Sequence, residues 1–139
     1  QETHCSPGRV PTFVNRWSSH RYFSSYSSYS RGVAILIRHS LNFHPFKHIN
    51  DTLGRMIAVT ATLEGRRLLF LNIYAPNIDD PEFFEDTLQQ CGEYRDWPLV
   101  WGEDLNIVLQ SSVDTTSHSR PSSPRAAAVL RSLMQLYGL

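Results

Sequence analysis

The sequence predicts an α/β fold, because strand-like and helix-like segments alternate along it. The apolar, β-branched run Val33–Ile37 is typical of a strand covered on both faces. A hairpin is predicted from Met56 to Tyr74, and a helix beginning near Pro81 leads to another strand at Leu99. Strand, helix and strand in this order indicate a right-handed crossover between parallel strands.

Composition limits the class of protein. The chain has 139 residues, of which 41% are hydrophobic and 12% aromatic, so it can bury the core of one domain. The longest apolar runs are five residues, which predicts no membrane span and no leader. Two distant cysteines, Cys5 and Cys91, indicate neither a disulfide framework nor a zinc site, and a reducing compartment is expected. The chain starts at Gln1 and stops inside an apolar-periodic stretch, so we expect a piece of a longer protein.

Net charge is zero, but the charge is unevenly distributed. Residues 1–70 carry nine Lys and Arg against three Asp and Glu, whereas residues 71–139 carry four against ten. A basic half could hold phosphates while an acidic half supplies carboxylates. A charge-complementary fold that binds no nucleic acid explains the same pattern equally well.

Each remaining element has a local signal. Alternation predicts strands at Met56–Leu63 and Arg67–Tyr74, joined by a turn at Glu64-Gly65. Asp79 or Asp80 is expected to cap the helix that starts at Pro81. The apolar face of this helix comprises Phe83, Phe84, Leu88 and Cys91. A last helix is predicted to start at Ser123-Pro124, and its apolar face comprises Ala127, Leu130, Met134 and Tyr137.

Two segments are predicted to be exposed loops. The Ser- and Tyr-rich stretch from Ser18 to Arg31 looks low in complexity, although its aromatic and arginine residues could also contact nucleic acid. His39, His44 and His48 surround Pro45, which interrupts a helix, so exposed loop histidines are favoured over a metal site.

The stretch from Pro98 to Leu109 carries the strongest candidate chemistry. Leu99 to Trp101 indicates a short buried strand, and Gly102 is expected to turn the backbone toward Asp104 and Asn106. A carboxylate and an amide two residues apart could position a nucleophile near an anion. An Asx-rich turn after a strand is the structural alternative. Tyr74, which ends another predicted strand before Pro76, could equally be a half-buried core tyrosine.

Four segments together resemble the endonuclease/exonuclease/phosphatase superfamily, and within it the apurinic-type endonuclease domain of LINE (non-LTR) retrotransposons. They are Gln1-Glu2-Thr3-His4, Arg31–Ile37, Leu71–Asn77, and Gly102–Asn106 continuing to Leu109. The resemblance covers nearly the whole chain. It implies that residues 1–139 are the central part of one such domain: a partial four-layered α/β sandwich of two mixed sheets flanked by helices, truncated at both ends.

The resemblance also implies a Mg²⁺-dependent DNA endonuclease that nicks target DNA for retrotransposition, with Mn²⁺ as an alternative metal. Glu2 would bind the metal, and Tyr74, Asn77 and Arg31 would contact the phosphate or DNA. The basic first half would supply a DNA-facing rim through sequence-independent phosphate contacts, chiefly by Arg9, Arg16, Arg21 and Arg31. Asp104 would orient or deprotonate the attacking water, with Asn106 as its partner. A reverse transcriptase domain in the same polyprotein and a nuclear location, if the protein is active, are implied, with no membrane partner.

Three departures from the family pattern bear on activity. The family pattern begins with a strand that carries an asparagine near the metal and ends with a Ser-Asp-His segment, and neither is present. Asp114 and His118 follow Asn106 too soon to be the Asp and His of that terminal segment. Glu103 replaces the glycine that usually precedes the catalytic aspartate, and it is expected to add bulk and a negative charge beside the phosphate site. The 139-residue chain alone is therefore expected not to cut DNA. A degenerate noncatalytic remnant or binding module, and less favourably a host DNA-repair nuclease, remain alternatives.

Overall fold

The computed structural model describes residues 3–5, 16–27, 29–107 and 123–138. Glu2, Arg9, Asp114 and His118 lie outside these residues. The chain divides into two compact units. The sheet unit comprises residues 1–74 and 94–104, and the helical unit comprises residues 75–93 and 105–139.

Six strands of the sheet unit lie within the described residues and form two sheets. An antiparallel pair forms the smaller sheet, and the larger sheet has the order β3-β4-β5-β6, in which β6 runs parallel to β5 and the other neighbours are antiparallel. The strands are β1 (Ser18–Ser24), β2 (Val33–Arg38), β3 (Phe43–Asn50), β4 (Met56–Leu63), β5 (Arg66–Tyr74) and β6 (Leu99–Asp104). This arrangement confirms the α/β class with two sheets and the predicted parallel pair.

The β4–β5 hairpin forms where the alternation predicted it. Its two turn residues, Glu64 and Gly65, have φ angles of 49° and 79°. Two positive φ angles in succession match the right-handed twist of the flanking strands, and glycine adopts such an angle without steric cost. Both strands are largely buried, so the hairpin forms the centre of the larger sheet.

One face of the larger sheet packs on the smaller sheet. Val59, Ala61 and Phe70 form a buried cluster with Phe43 of β3 and Ile37 of β2. The Phe43 and Phe70 rings are tilted at 59° with centroids 5.8 Å apart, a favourable aromatic geometry. The two sheets therefore form a sandwich with an aliphatic and aromatic core.

The prediction of a loop over Ser18–Arg31 is wrong for its first half, which is strand β1. Ser18 and Ser24 are buried, and Ser24 Oγ donates to Asp51 Oδ1 at 2.7 Å. Tyr22 packs against the core through its ring, which lies 6.4 Å from that of Phe43. Small hydroxyl side chains fit a close inter-sheet contact when they are hydrogen-bonded, so a polar composition concealed this strand.

The histidine prediction is correct about exposure and wrong about the loop. His39, His44 and His48 are exposed, but the last two lie in β3. Pro45 is tolerated because β3 is an edge strand of the described sheet, and the register shifts between Pro45 and Lys47. Proline in a sheet is confined to edges and bulges, and both conditions are met.

Strand β6 also differs from its prediction. It continues through Gly102 to Asp104, so the backbone does not turn at the glycine, and it is partly exposed, with Val100 47% exposed. The left-handed turn comes later, at Asn106, where φ is 50°. As an edge strand of the described sheet, β6 has a neighbour on one side, which explains its exposure.

Two helices of the helical unit have both ends within the described residues, α1 (Pro81–Cys91) and α2 (Pro124–Tyr137). They pack on each other, burying Phe84 on α1 and Leu130 on α2. Four residues of the two predicted apolar faces are only half-buried, namely Phe83, Leu88, Met134 and Tyr137. Four residues outside the predicted faces are buried, namely Pro81, Thr87, Ala126 and Leu133. No helix of the described residues is long and apolar enough to cross a membrane.

The two adjacent aspartates cap different helices. Asp80 accepts a hydrogen bond from Phe83 N at 3.1 Å and is the N-cap of α1. Asp79 Oδ1 accepts from Ala126 N at 2.8 Å, in the first turn of α2. Ser123, at the N-cap position of α2, makes no capping hydrogen bond with its side chain. Asp79 therefore supplies the acceptor that the local sequence of α2 lacks.

Candidate active site

Tyr74 and Asp104 are the last residues of β5 and β6, and they are partners in the parallel register. Side chains in register on neighbouring strands point to the same face, and neighbouring strands lie about 4.8 Å apart. Both residues are half-buried, so each combines a fixed backbone with access to solvent. The structure thus brings these two predicted residues together at the carboxyl ends of a parallel strand pair, where ligands commonly bind in α/β folds.

Asn72 lies two residues before Tyr74 on the same face of β5 and was not identified from the sequence as a site residue. Its Nδ2 donates to Ala34 O of β2 at 2.8 Å, which links the two sheets. A Cβ on Gly102, its register partner, would lie 3.4 Å from Asn72 Oδ1. Asn72 therefore fixes the strand end behind the Tyr74–Asp104 pair. An asparagine inside the apolar strand Leu68–Ile73 is the sequence signal that could have revealed it.

Glu103 lies between Gly102 and Asp104 and pairs with Ile73. Because side chains alternate along a strand, Glu103 points to the face opposite Asp104. The Glu103 side chain therefore does not place its bulk and charge on the face of Asp104, contrary to the expectation from the sequence. Partial desolvation of the Glu103 carboxyl raises its pKa above the ordinary value of 4.5.

The other two predicted residues of this region belong to the helical unit. Asn106 Nδ2 donates to Ala75 O at 2.9 Å, and Asn106 has a left-handed backbone. This bond joins the segment after β6 to the segment after β5. Asn77 is exposed on the latter segment. Asn106 therefore orders these two segments through its amide.

Arg31 lies immediately before β2 with a left-handed φ of 64°. Its guanidinium stacks over the Tyr26 ring, 4.7 Å from the centroid, and the side chain is half-buried. Thr3 N and His4 N donate to the carbonyls of Gly32 and Arg31 at 2.9 and 3.1 Å. The residues that directly follow Glu2 are thus fixed beside β2, whereas Glu2 lies outside the described residues.

The described residues contain little of the expected metal centre and part of the expected basic rim. No group of three or more His, Cys, Asp and Glu side chains comes together among them. Glu2, whose carboxylate is the kind of hard oxygen ligand that Mg²⁺ prefers, lies outside the described residues. Arg16 and Arg21 are exposed in the sheet unit. Cys91 is buried on α1, which raises its thiol pKa to about 11.

No protein-family model matches the sequence. The fold is similar to that of the endonuclease domain of TRAS1, a telomere-specific non-LTR retrotransposon, with a TM-score of 0.55 and 12% sequence identity. The similarity covers 84% of this chain and 52% of the other, so this chain spans about half the length of that domain. At this identity the similarity establishes a shared fold.

Proposed function

We propose that this chain forms the central part of a metal-dependent DNA endonuclease domain of the non-LTR retrotransposon type. The observation that carries the proposal is the in-register pairing of Tyr74 and Asp104 at the ends of β5 and β6. The fold similarity to a retrotransposon endonuclease domain supports it. The left-handed backbone of Arg31, a conformation that arginine adopts rarely, also supports it.

The proposed reaction is hydrolysis of a DNA phosphodiester by an attacking water. The Asp104 carboxylate accepts a hydrogen bond from that water, orients it and receives its proton. The Tyr74 hydroxyl donates to a phosphate oxygen on which negative charge develops. A bound Mg²⁺, or Mn²⁺, held with the help of Glu2, would supply further stabilisation of that charge. The water oxygen bonds to phosphorus as the bond from phosphorus to the 3′-oxygen breaks, and the leaving oxygen takes a proton from solvent, which leaves a 5′-phosphate and a 3′-hydroxyl at the nick.

The remaining candidates have supporting roles in the proposal. Arg31 is proposed to contact a DNA phosphate, since its guanidinium is aligned by the Tyr26 ring. Asn77 is proposed as a phosphate donor from the sequence resemblance and its exposure. Asn106 is assigned a positioning role because its amide already bonds Ala75 O. Duplex DNA is the proposed partner, with a reverse transcriptase in the same polyprotein and a nuclear site of action.

The test is a nicking assay in the longest natural polypeptide that contains these 139 residues. Supercoiled plasmid should be nicked with Mg²⁺, and Asp104→Ala should lower the rate at least about a hundredfold because the water-activating group is lost. Tyr74→Phe, which removes one hydroxyl, should retain more activity than Asp104→Ala. Glu103→Gln is the matched control and should nick at close to the unmodified rate, since Glu103 points to the other face.

Persistent nicking by Asp104→Ala would show that the assigned residue is wrong. No Mg²⁺-dependent nicking by the unmodified polypeptide, with duplex binding retained, would replace the enzyme proposal by the noncatalytic binding module. The 139-residue chain alone is proposed not to nick, since it would hold only part of the catalytic set and residues that act as a unit lose rate together.

A further inference from the structure

A second surface of the sheet unit combines one exposed and two half-buried aromatic rings with cations. We define the aromatic–cation patch as five residues from three parts of the chain, and they are Phe46, Lys47, Arg67, Tyr94 and Trp97. Phe46 is 59% exposed although it lies in a strand, and Lys47 and Arg67 are exposed beside it. A large exposed aromatic residue that continues into further rings is the kind of apolar surface feature that marks a binding site.

The rings contact one another by their edges. The Trp97 ring meets Phe46 at 82° with centroids 5.9 Å apart, and Tyr94 at 72° with centroids 5.3 Å apart. Trp97 is therefore held between two rings without being stacked face to face with either. Edge-to-face packing of this kind is favourable for aromatic rings, and Phe46 remains largely exposed within the cluster.

Two cations lie over ring faces at long distance. Lys47 Nζ is 5.7 Å from the Tyr94 centroid, and Arg67 Cζ is 5.7 Å from the Trp97 centroid. Both distances are near the outer limit of about 6 Å for a cation–π contact. Both cationic residues are exposed and lie beside aromatic rings on this surface. The neighbouring Arg95 and Asp96 form a loose pair, 3.9 Å apart, and contribute no net charge.

The patch is separate from the candidate active site within the sheet unit. Arg67 begins β5 and Tyr74 ends it, and seven residues of strand span about 23 Å. Positions 67 and 74 also differ by an odd number in a strand whose register with β4 is regular, so their side chains point to opposite faces. A ligand on the patch would not occupy the site of the Tyr74–Asp104 pair.

We propose that the aromatic–cation patch binds single-stranded nucleic acid. An unpaired base would stack on the Phe46 ring, and Lys47 and Arg67 would contact the flanking phosphates. Aromatic side chains combined with cations bind single strands without sequence preference, because every base has a π face and every phosphodiester group carries a negative charge. Duplex DNA hides its base faces and gains the phosphate contacts alone, so the patch favours single strands. This proposal does not depend on the proposed nuclease activity.

The experiment measures binding of the 139-residue chain to a fluorescein-labelled, single-stranded dT20 oligonucleotide by fluorescence anisotropy across a salt series. Phe46→Ala should weaken binding about fivefold or more through lost stacking. A Lys47→Gln/Arg67→Gln double variant should weaken binding and reduce the slope of log affinity against log salt by about 1.4, the value for two phosphate contacts to a single strand. Phe46→Ala should change affinity for a 20-base-pair duplex less, because a duplex makes the phosphate contacts alone.

Two matched controls lie elsewhere on the sheet unit. Leu53→Ala truncates another exposed apolar residue, and Arg38→Gln removes another exposed charge; neither should change dT20 affinity by as much as twofold. Equal dT20 affinity for the unmodified chain and both patch variants would overturn the proposal. So would a concentration-dependent dimer that Phe46→Ala abolishes, because the patch would then be an interface between copies. The double variant keeps all three rings, so it tests the proposal even where Phe46→Ala unfolds.

Discussion

At the scale of residues, the candidate site depends on strand alternation. Asp104 and Glu103 are adjacent acids in the sequence, but their side chains lie on opposite faces of β6. The Asp104 face is shared with Tyr74 and with Asn72, which links β5 to β2. The face of each residue depends on register, and a sequence motif alone does not specify register.

Glu103 gives a pH-dependent prediction. Its pKa is raised by partial desolvation, so folding favours the protonated form and disfavours the carboxylate. Glu103→Gln should therefore raise the melting temperature at pH 7. The gain should shrink as the pH falls through the raised folded-state pKa and vanish below the ordinary value of 4.5. Glu85→Gln on the exposed side of α1 is the control, and a pH-independent gain for Glu103→Gln would contradict this explanation.

Gly32 gives a prediction about backbone strain. Its φ is +107°, and an added Cβ would overlap Thr3 Oγ1. Gly32→Ala should destabilise the protein by about 1–3 kcal/mol in chemical denaturation, the range for a strained backbone conformation. Gly92→Ala is the control, because its φ is −58° and no atom lies near an added Cβ. Equal stability of the two variants would show that the Thr3 contact is not maintained in solution.

At the scale of elements, the capping of α2 is a contact between distant parts of the sequence. Asp79→Ala removes the acceptor for Ala126 N and should cost about 1 kcal/mol in urea unfolding. Ser123→Ala should cost less, since the Ser123 side chain makes no capping hydrogen bond. A larger loss for Ser123→Ala would indicate that the local N-cap residue, and not Asp79, caps this helix.

The elements that the sequence predicted correctly have local signals. The Glu64-Gly65 turn and the Asp80-Pro81 helix start each encode their own backbone geometry, and the apolar run of β2 encodes burial. The elements that it missed depend on tertiary contacts. Strand β1 is held by polar contacts such as Ser24 to Asp51, and β3 tolerates Pro45 because of its edge position. Local propensity contains neither kind of information.

At the scale of the whole molecule, charge is predicted to direct duplex DNA to the basic first half. Arg9, Arg16, Arg21 and Arg31 were predicted to form its rim; Arg9 lies outside the described residues, and Arg16 and Arg21 are exposed. An Arg16→Ala/Arg21→Ala variant should lower duplex affinity and reduce the salt slope by about 1.8, as expected for two phosphate contacts. Arg125→Ala in the acidic half is the control, and an unchanged slope in the double variant would reject the rim.

The central claim is that the ends of β5 and β6 form a metal-dependent phosphodiesterase site. The most direct test is paramagnetic broadening of backbone amide NMR signals of the 139-residue chain by substoichiometric Mn²⁺. We expect the Tyr74 and Asp104 signals to broaden first, Gly65 at the far end of β5 to be unaffected, and Glu2→Gln to abolish the effect. Broadening centred on the acidic residues of α1, or equal broadening at Gly65 and Asp104, would contradict the account.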